Sequence, residues 1–241
     1  AIGARVHLLL SAEEDLVAVW ESAKHRPSPI DGYFGAVYYI GPIFTAFRGT
    51  PEASQFYGLL RQEIDERVRL GKGPITPDGE MGEEKYRLVT EGPPNWTSFR
   101  DFWKMFYDEG AVVVASTYSK VGGLYDFGFR HDADHPLESL ADYCLGCYTN
   151  LNLPSRIDMI CKYIDEYQAD GLLINSIKSC NSFSAGQLLI LREVEKRTGK
   201  PAAFIETDLV DPRYFSAANV KNRLESYFQM IKQKRAAGAA H

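Results

Sequence analysis

Gly171-Leu172-Leu173-Ile174-Asn175 is a short apolar run that passes at once into the polar stretch Ser176-Ile177-Lys178-Ser179-Cys180-Asn181-Ser182-Phe183-Ser184. A run of this length without alternation suits a strand buried on both faces, as in the interior of a parallel sheet. Three more runs resemble it: Tyr86 to Thr90, bounded by Gly92-Pro93-Pro94; Ala111 to Ala115, β-branched and starting just after Gly110; and Ala202 to Ile205. Between them apolar residues recur at helical spacing over about 97–109, 154–168 and 184–198, and again over about 217–234. Strands alternating with helices predict an α/β fold with a doubly wound, mainly parallel sheet of Rossmann or flavodoxin-like kind. Ligands of such folds sit outside the carboxyl ends of the strands. The segments of interest are therefore Glu91 to Ser98, Ser116 to Tyr125, Ser176 to Ser184 and Glu206 to Tyr214.

Upstream, residues 1–79 read as a helical segment. Ser11 is placed to cap a helix with Glu13, Glu14 and Asp15 in its first turn and Leu16, Val19 and Trp20 on its apolar side; Pro27 and Pro29 end it. A glycine- and aromatic-rich stretch runs from Tyr33 to Arg48, after which Thr50-Pro51-Glu52 opens a helix with Phe56, Leu59, Leu60, Ile64 and Val68 as its apolar face. Gly71, Gly73, Pro74, Pro77 and Gly79 form the clearest linker, so the α/β domain is expected over residues 80–235. Residues 236–241 are low in complexity and expected to fray. The chain opens with neither a Met nor a basic-then-apolar signal pattern, and its start reads as lying within a longer protein.

Bulk properties narrow the class of function. A chain of 241 residues, 45% hydrophobic and 24% charged, is long and apolar enough for a large folded domain. Its net charge of -5, with 27 basic residues interspersed among 32 acidic ones, offers no footprint for nucleic acid. No stretch approaches the roughly 18 consecutive apolar residues that span a bilayer. Four cysteines at this density fit the reducing cytoplasm, where thiols serve metals, catalysis or packing.

Cys180 stands where a catalytic or metal-binding thiol of this sheet would be, beside Lys178 and near an expected helix start; a cysteine packed under a loop is the plainer alternative. Cys144-Leu145-Gly146-Cys147 supplies two sulfurs where a zinc or iron–sulfur site needs four ligands, which leaves packing, an accessory metal or redox chemistry open. Cys161, between Ile160 and Tyr163, reads as core. His131-Asp132-Ala133-Asp134-His135 reads as solvated turn residues rather than a metal tract. Gly92-Pro93-Pro94-Asn95-Trp96-Thr97-Ser98 joins a strand to a helix and presents amides and a capping side chain to a bound anion or thioester. With neither GxGxxG nor a Walker A pattern, nothing supports a nucleotide site.

Asn175 through Gln187, followed by Lys200-Pro201-Ala202-Ala203-Phe204-Ile205-Glu206-Thr207-Asp208, resembles the C-terminal signature of the 2-hydroxyacyl-CoA dehydratase and benzoyl-CoA reductase family. Arg48-Gly49-Thr50, Glu91 to Phe99 and Lys120-Val121-Gly122-Gly123-Leu124-Tyr125 are similar more narrowly to the reductase branch. That resemblance implies an oxygen-sensitive, cytoplasmic, hetero-oligomeric oxidoreductase of anaerobic aromatic degradation. Its ring-reducing pair of subunits receives ferredoxin electrons through an ATP-hydrolysing pair and reduces benzoyl-CoA, one electron at a time, to a cyclohexadiene carbonyl-CoA. It also implies that Cys180 is the last of three cysteines binding a 4Fe–4S cluster, the other two lying in a domain this chain lacks. The chain by itself is then expected to be inactive, while Cys144 and Cys147 match no general ligand position. Asn95, Trp96, Ser98, Lys178 and Asn181, at the same carboxyl edge, are the candidate contacts to substrate. A 2-hydroxyacyl-CoA dehydratase subunit and a non-catalytic interaction module are the rival readings.

Overall fold

The computed structural model describes residues 2–32, 49–76, 78–80, 83–118 and 123–238. The stretch from Tyr33 to Arg48 and the Lys120-Val121-Gly122 part of the reductase-like motif lie outside them. The chain divides into two compact units, 1–83 with 119–151 and 84–118 with 152–241. The first boundary falls close to the expected linker, but residues 119–151, expected within the α/β domain, group with the first unit.

In the first unit, α1 (Ile2–Glu21) packs against α2 (Pro51–Arg69). Ser11 lies within α1 rather than at its start, because Ala4 to Leu10 are mostly good helix formers and extend it upstream. Thr50 caps α2 as expected, accepting from Ala53 N at 3.2 Å, with Pro51 in the first turn. The buried face of α2 is Ala53, Tyr57, Leu60, Ile64 and Arg67, whereas Phe56 and Leu59 are exposed. Tyr57 and Arg67 bury long apolar stems despite their polar tips, which rotates the face away from the one that hydropathy alone selects. Within the expected linker, β1 (Ile75–Thr76) pairs antiparallel with β2 (Gly79–Glu80). This unit also holds α4 (Pro136–Gly146).

The second unit contains the four expected strands: β3 (Tyr86–Glu91), β4 (Ala111–Ser116), β5 (Gly171–Ile177) and β6 (Ala202–Thr207). They form one parallel sheet in the order β4-β3-β5-β6, with Leu88 opposite both Val113 and Gly171, and Ile174 opposite Phe204. Every residue of β3, β4 and β5 is buried, as apolar runs without alternation require. Four helices cover the sheet as two separate pairs: α3 (Phe99–Tyr107) with α7 (Ala217–Gly238), and α5 (Leu153–Glu166) with α6 (Gln187–Thr198). This is the doubly wound α/β arrangement. Residues 236–238, expected to fray, continue α7.

The order has a direct consequence. The chain leaves β3 toward β4 on one side and returns to β5 on the other, so β3 and β5 are neighbours whose following loops diverge. Such a topological switch point opens a crevice at the carboxyl ends of the two strands.

Candidate functional site at the carboxyl edge of the sheet

The two diverging loops are 92–98 after β3 and 178–186 after β5. Their bases are joined by buried polar contacts. Asn175, fully buried near the end of β5, donates from Nδ2 to Pro93 O at 2.6 Å and accepts from Thr207 Oγ1 at 2.9 Å. Glu91, the last residue of β3, accepts from Gln187 Nε2 at the start of α6. Each contact offsets the cost of taking a polar group out of water, roughly 1–3 kcal/mol when left unmade, and the bonds of Asn175 to Pro93 and of Gln187 to Glu91 fix one loop base against the other. Gly92 turns the chain at φ +91° against the Asn175 carbonyl, with its amide donating to Thr117 Oγ1 at 3.3 Å.

On this base the five candidate substrate contacts separate by role. Asn95 is fully buried, and its Oδ1 caps the turn Trp96–Ser98 by accepting from Thr97 N at 3.1 Å and Ser98 N at 3.3 Å. Its Nδ2 is buried with no hydrogen-bond partner among the described residues. Trp96 is 38% exposed, stacked on Phe99 at 5.2 Å and edge-on to Tyr118 at 6.2 Å. Burial pushes the Tyr118 phenol above its ordinary range. Ser98 is half-buried. Lys178 is exposed and ion-paired with Glu206 of β6, and exposed Asn181 accepts through its carbonyl from Ala185 N at 3.0 Å.

Cys180 is half-buried between them. Its amide donates to Ile177 O at 3.2 Å and its carbonyl accepts from Phe183 N at 3.1 Å, so main-chain bonds hold the thiol-bearing residue in place. It opens the three-residue turn Asn181–Phe183; the helix expected from about residue 184 begins at Gln187. Gly186, at φ +79°, and Arg156, donating to Ser182 O at 2.8 Å, pin the far side of the loop.

A family model described as 2-hydroxyglutaryl-CoA dehydratase, D-component, matches residues 6–231. The chain belongs to this family. Among curated relatives of this dehydratase family, it is 80% identical over 224 residues to a benzoyl-CoA reductase subunit of Thauera aromatica, covering 93% of this chain and 52% of that protein. It is 28% identical to the (R)-2-hydroxyisocaproyl-CoA dehydratase alpha subunit of Clostridioides difficile, over 88% of this chain and 49% of that protein. It is 25% identical to the (R)-phenyllactyl-CoA dehydratase alpha subunit of Clostridium sporogenes, over 89% and 49%. The chain thus spans about half the length of the curated relatives it matches. The resemblance read from Asn175–Gln187 and Glu91–Phe99 is borne out.

For a member of the 2-hydroxyglutaryl-CoA dehydratase D-component family, the fit to an iron–sulfur cluster is partial. Cys180 offers one thiol at the switch point, and among the described residues no group of three or more His, Cys, Asp or Glu side chains is placed to hold a metal ion. One cysteine supplies one corner of a site that takes four ligands. No helix among the described residues is long and apolar enough to cross a membrane. Two single-residue expectations change. Cys161 is half-buried rather than core, and burial pushes its thiol up. His131 is buried, not solvated: its Nδ1 meets Glu13 Oε1, its amide donates to Glu13 Oε2 at 3.3 Å, and Tyr143 and Phe129 flank its ring. Glu13 lies 118 residues away, outside any local reading.

Sequence reasoning also passed over Asp208 as an anchor. Its buried carboxylate accepts from Val210 N and Asp211 N at 3.0 Å and from Ser179 N at 2.9 Å, tying the loop after β6 to the one bearing Cys180. The Val210 amide above all, then those of Asp211 and Ser179, hold its pKa at about 2 against an ordinary 3.8. A depressed carboxylate contributes stability that is complete above its unfolded pKa and lost as pH falls through the folded one. Urea unfolding of the wild type is therefore expected to weaken between about pH 4 and pH 2 more steeply than that of Asp208→Asn. Parallel pH dependence of the two proteins would remove this role from Asp208.

Proposed function

We propose that the chain is part of the ring-reducing module of an ATP-dependent, ferredoxin-linked benzoyl-CoA reductase. The 80% identity over 93% of the chain to a benzoyl-CoA reductase subunit carries this reading, and the half-buried Cys180 at the switch point supports it. In the intact cytoplasmic complex Cys180 holds one corner of a 4Fe–4S cluster whose other ligands lie outside the described residues. A bound cluster supplies low-potential electrons, near the roughly -700 mV lower end of protein clusters, as adding an electron to an aromatic ring demands. The chain's own residues do the positioning. The 92–98 loop lines the substrate channel, with Trp96 offering a ring face, Asn95 an unused amide donor, and Ser98, Lys178 and Asn181 polar groups along the same edge. The partners are a second ring-reducing subunit and the ATP-hydrolysing pair, and the product is a cyclohexadiene carbonyl-CoA.

A dehydratase subunit is the second reading, supported by relatives named as dehydratase alpha subunits at 25–28% identity. Assay of the intact complex without oxygen, with ATP and a strong reductant, separates them. Loss of benzoyl-CoA absorbance is expected; dehydration of a 2-hydroxyacyl-CoA with benzoyl-CoA untouched would establish the dehydratase, and an inactive, cluster-free complex an interaction module. In the same assay Trp96→Ala is expected to raise the KM for benzoyl-CoA by about 3- to 10-fold, the worth of one aromatic stack. Its effect on melting should be small, since Trp96 is 38% exposed. Lower thermal stability with unchanged KM would make Trp96 a packing residue instead.

A further inference from the structure

The geometry points to Cys144 and Cys147 as a dithiol pair that closes reversibly to a disulfide, a modification site apart from the proposed reductase chemistry. The two residues straddle the end of α4, Cys144 in the last turn and Cys147 as the residue that leaves the helix, at φ -57° and ψ 136°. Cys144 is exposed and Cys147 half-buried. The Cys147 amide still donates to Cys144 O at 3.4 Å, so the chain between them is a closed turn. Such a turn keeps its first and last Cα atoms within about 7 Å, and a disulfide needs about 4.4–6.8 Å. The Cys147 thiol does not point away: Sγ lies 3.4 Å from Tyr143 O, folded back over the turn that carries Cys144.

The backbone around the pair is anchored on both sides. Tyr143 and Tyr148 are buried, and Asn150 closes the following turn, its Nδ2 donating to Cys144 O at 2.6 Å and its amide to Cys147 O at 2.8 Å. Bringing two sulfurs together between fixed anchors requires side-chain rotation rather than unfolding. Two sulfurs also fall short of the four ligands of a zinc or iron–sulfur site. Among the described residues no larger His, Cys, Asp or Glu group is gathered for a metal.

The oxidant that balances the step is a low-molecular-weight disulfide. The Cys144 thiolate, the more accessible, attacks one sulfur of that disulfide and expels a small thiolate, giving a mixed disulfide. The Cys147 thiolate then attacks Cys144 Sγ and expels the second. The protein pair loses two electrons and two protons, which leave with two molecules of small thiol; a strong dithiol reductant reverses the exchange.

The test treats the 241-residue chain with oxidised glutathione near neutral pH, counts alkylatable thiols and maps the peptides by mass. The expected result is loss of two of the four thiols, with the peptide holding both Cys144 and Cys147 lighter by about 2 Da and restored by a dithiol reductant. Cys144→Ser and Cys147→Ser should each abolish that mass loss while leaving the melting curve of the reduced protein in place. Four thiols retained, a persistent glutathione adduct on Cys144, or a bridge to Cys161 or Cys180 would each overturn the assignment. None of these outcomes bears on ring reduction, which the assay of the intact complex decides separately.

Discussion

Gly92→Ala is expected to lower the stability of the second unit by about 3 kcal/mol or more, with a fall in melting temperature of about 6–12 °C for a chain of this size. Two costs combine. At φ +91° a Cβ is strained whatever surrounds it, a penalty of about 1–3 kcal/mol. The added methyl would also lie well inside contact distance of the Asn175 carbonyl oxygen and 3.3 Å from its carbon. That carbonyl belongs to β5, whose ladder partners on both sides prevent it from retreating. Gly199→Ala supplies the control, since Gly199 has φ +67° with nothing within 4 Å of the site of a Cβ. It should show the backbone cost alone. If the two variants melt together, the close approach of the β3 loop to β5 is not what shapes the switch point. Asn175→Ala probes the same junction from the other side, removing the bonds to Pro93 and Thr207.

How far the fold was legible follows from the range of the interactions that decide it. Buried parallel strands announce themselves in four or five consecutive residues, and all four runs became strands, β5 reaching two residues past Asn175 to Ile177. The loop bearing Cys180 was legible for the same reason, since position relative to a strand end needs no distant partner. Polar residues inside helical faces were harder to place. Arg67 is buried on α2 with its guanidinium donating to Gly73 O, whereas Leu59, more apolar, faces solvent. Pairings across the chain were out of reach: Glu13 with His131, Glu91 with Gln187 and Ser179 with Asp208 each join residues that look unremarkable alone. The grouping of 119–151 with the first unit is of this kind too, because α4 in that segment meets α1, more than a hundred residues upstream.

If the chain belongs to a benzoyl-CoA reductase as proposed, Cys180→Ser in the intact complex is expected to leave iron well below the wild-type content and to lower ring reduction by about 100-fold or more, since changes merely around a metal ligand already cost 10- to 100-fold. On the proposed function, this one removes a ligand outright. The substitution is suited to the question because the fold around it does not depend on sulfur. The bonds that hold residue 180 run from its amide to Ile177 O and from Phe183 N to its carbonyl, and a serine keeps both. Half-buried, the side chain has room for a hydroxyl of nearly the same size. The loop's other anchors, Arg156 to Ser182 O and Ser179 to Asp208, are untouched. Melting temperature and the ATPase of the partner subunits should therefore stay near wild type, which separates loss of a ligand from loss of a fold. Cys161→Ser, on α5, serves as the comparison, since its thiol lies on a helix and not in the loop at the switch point. Iron and activity should survive it. Full iron content with full ring reduction in Cys180→Ser would mean that the thiol at the end of β5 is a packing residue, and that the cluster is held without this chain's cysteine.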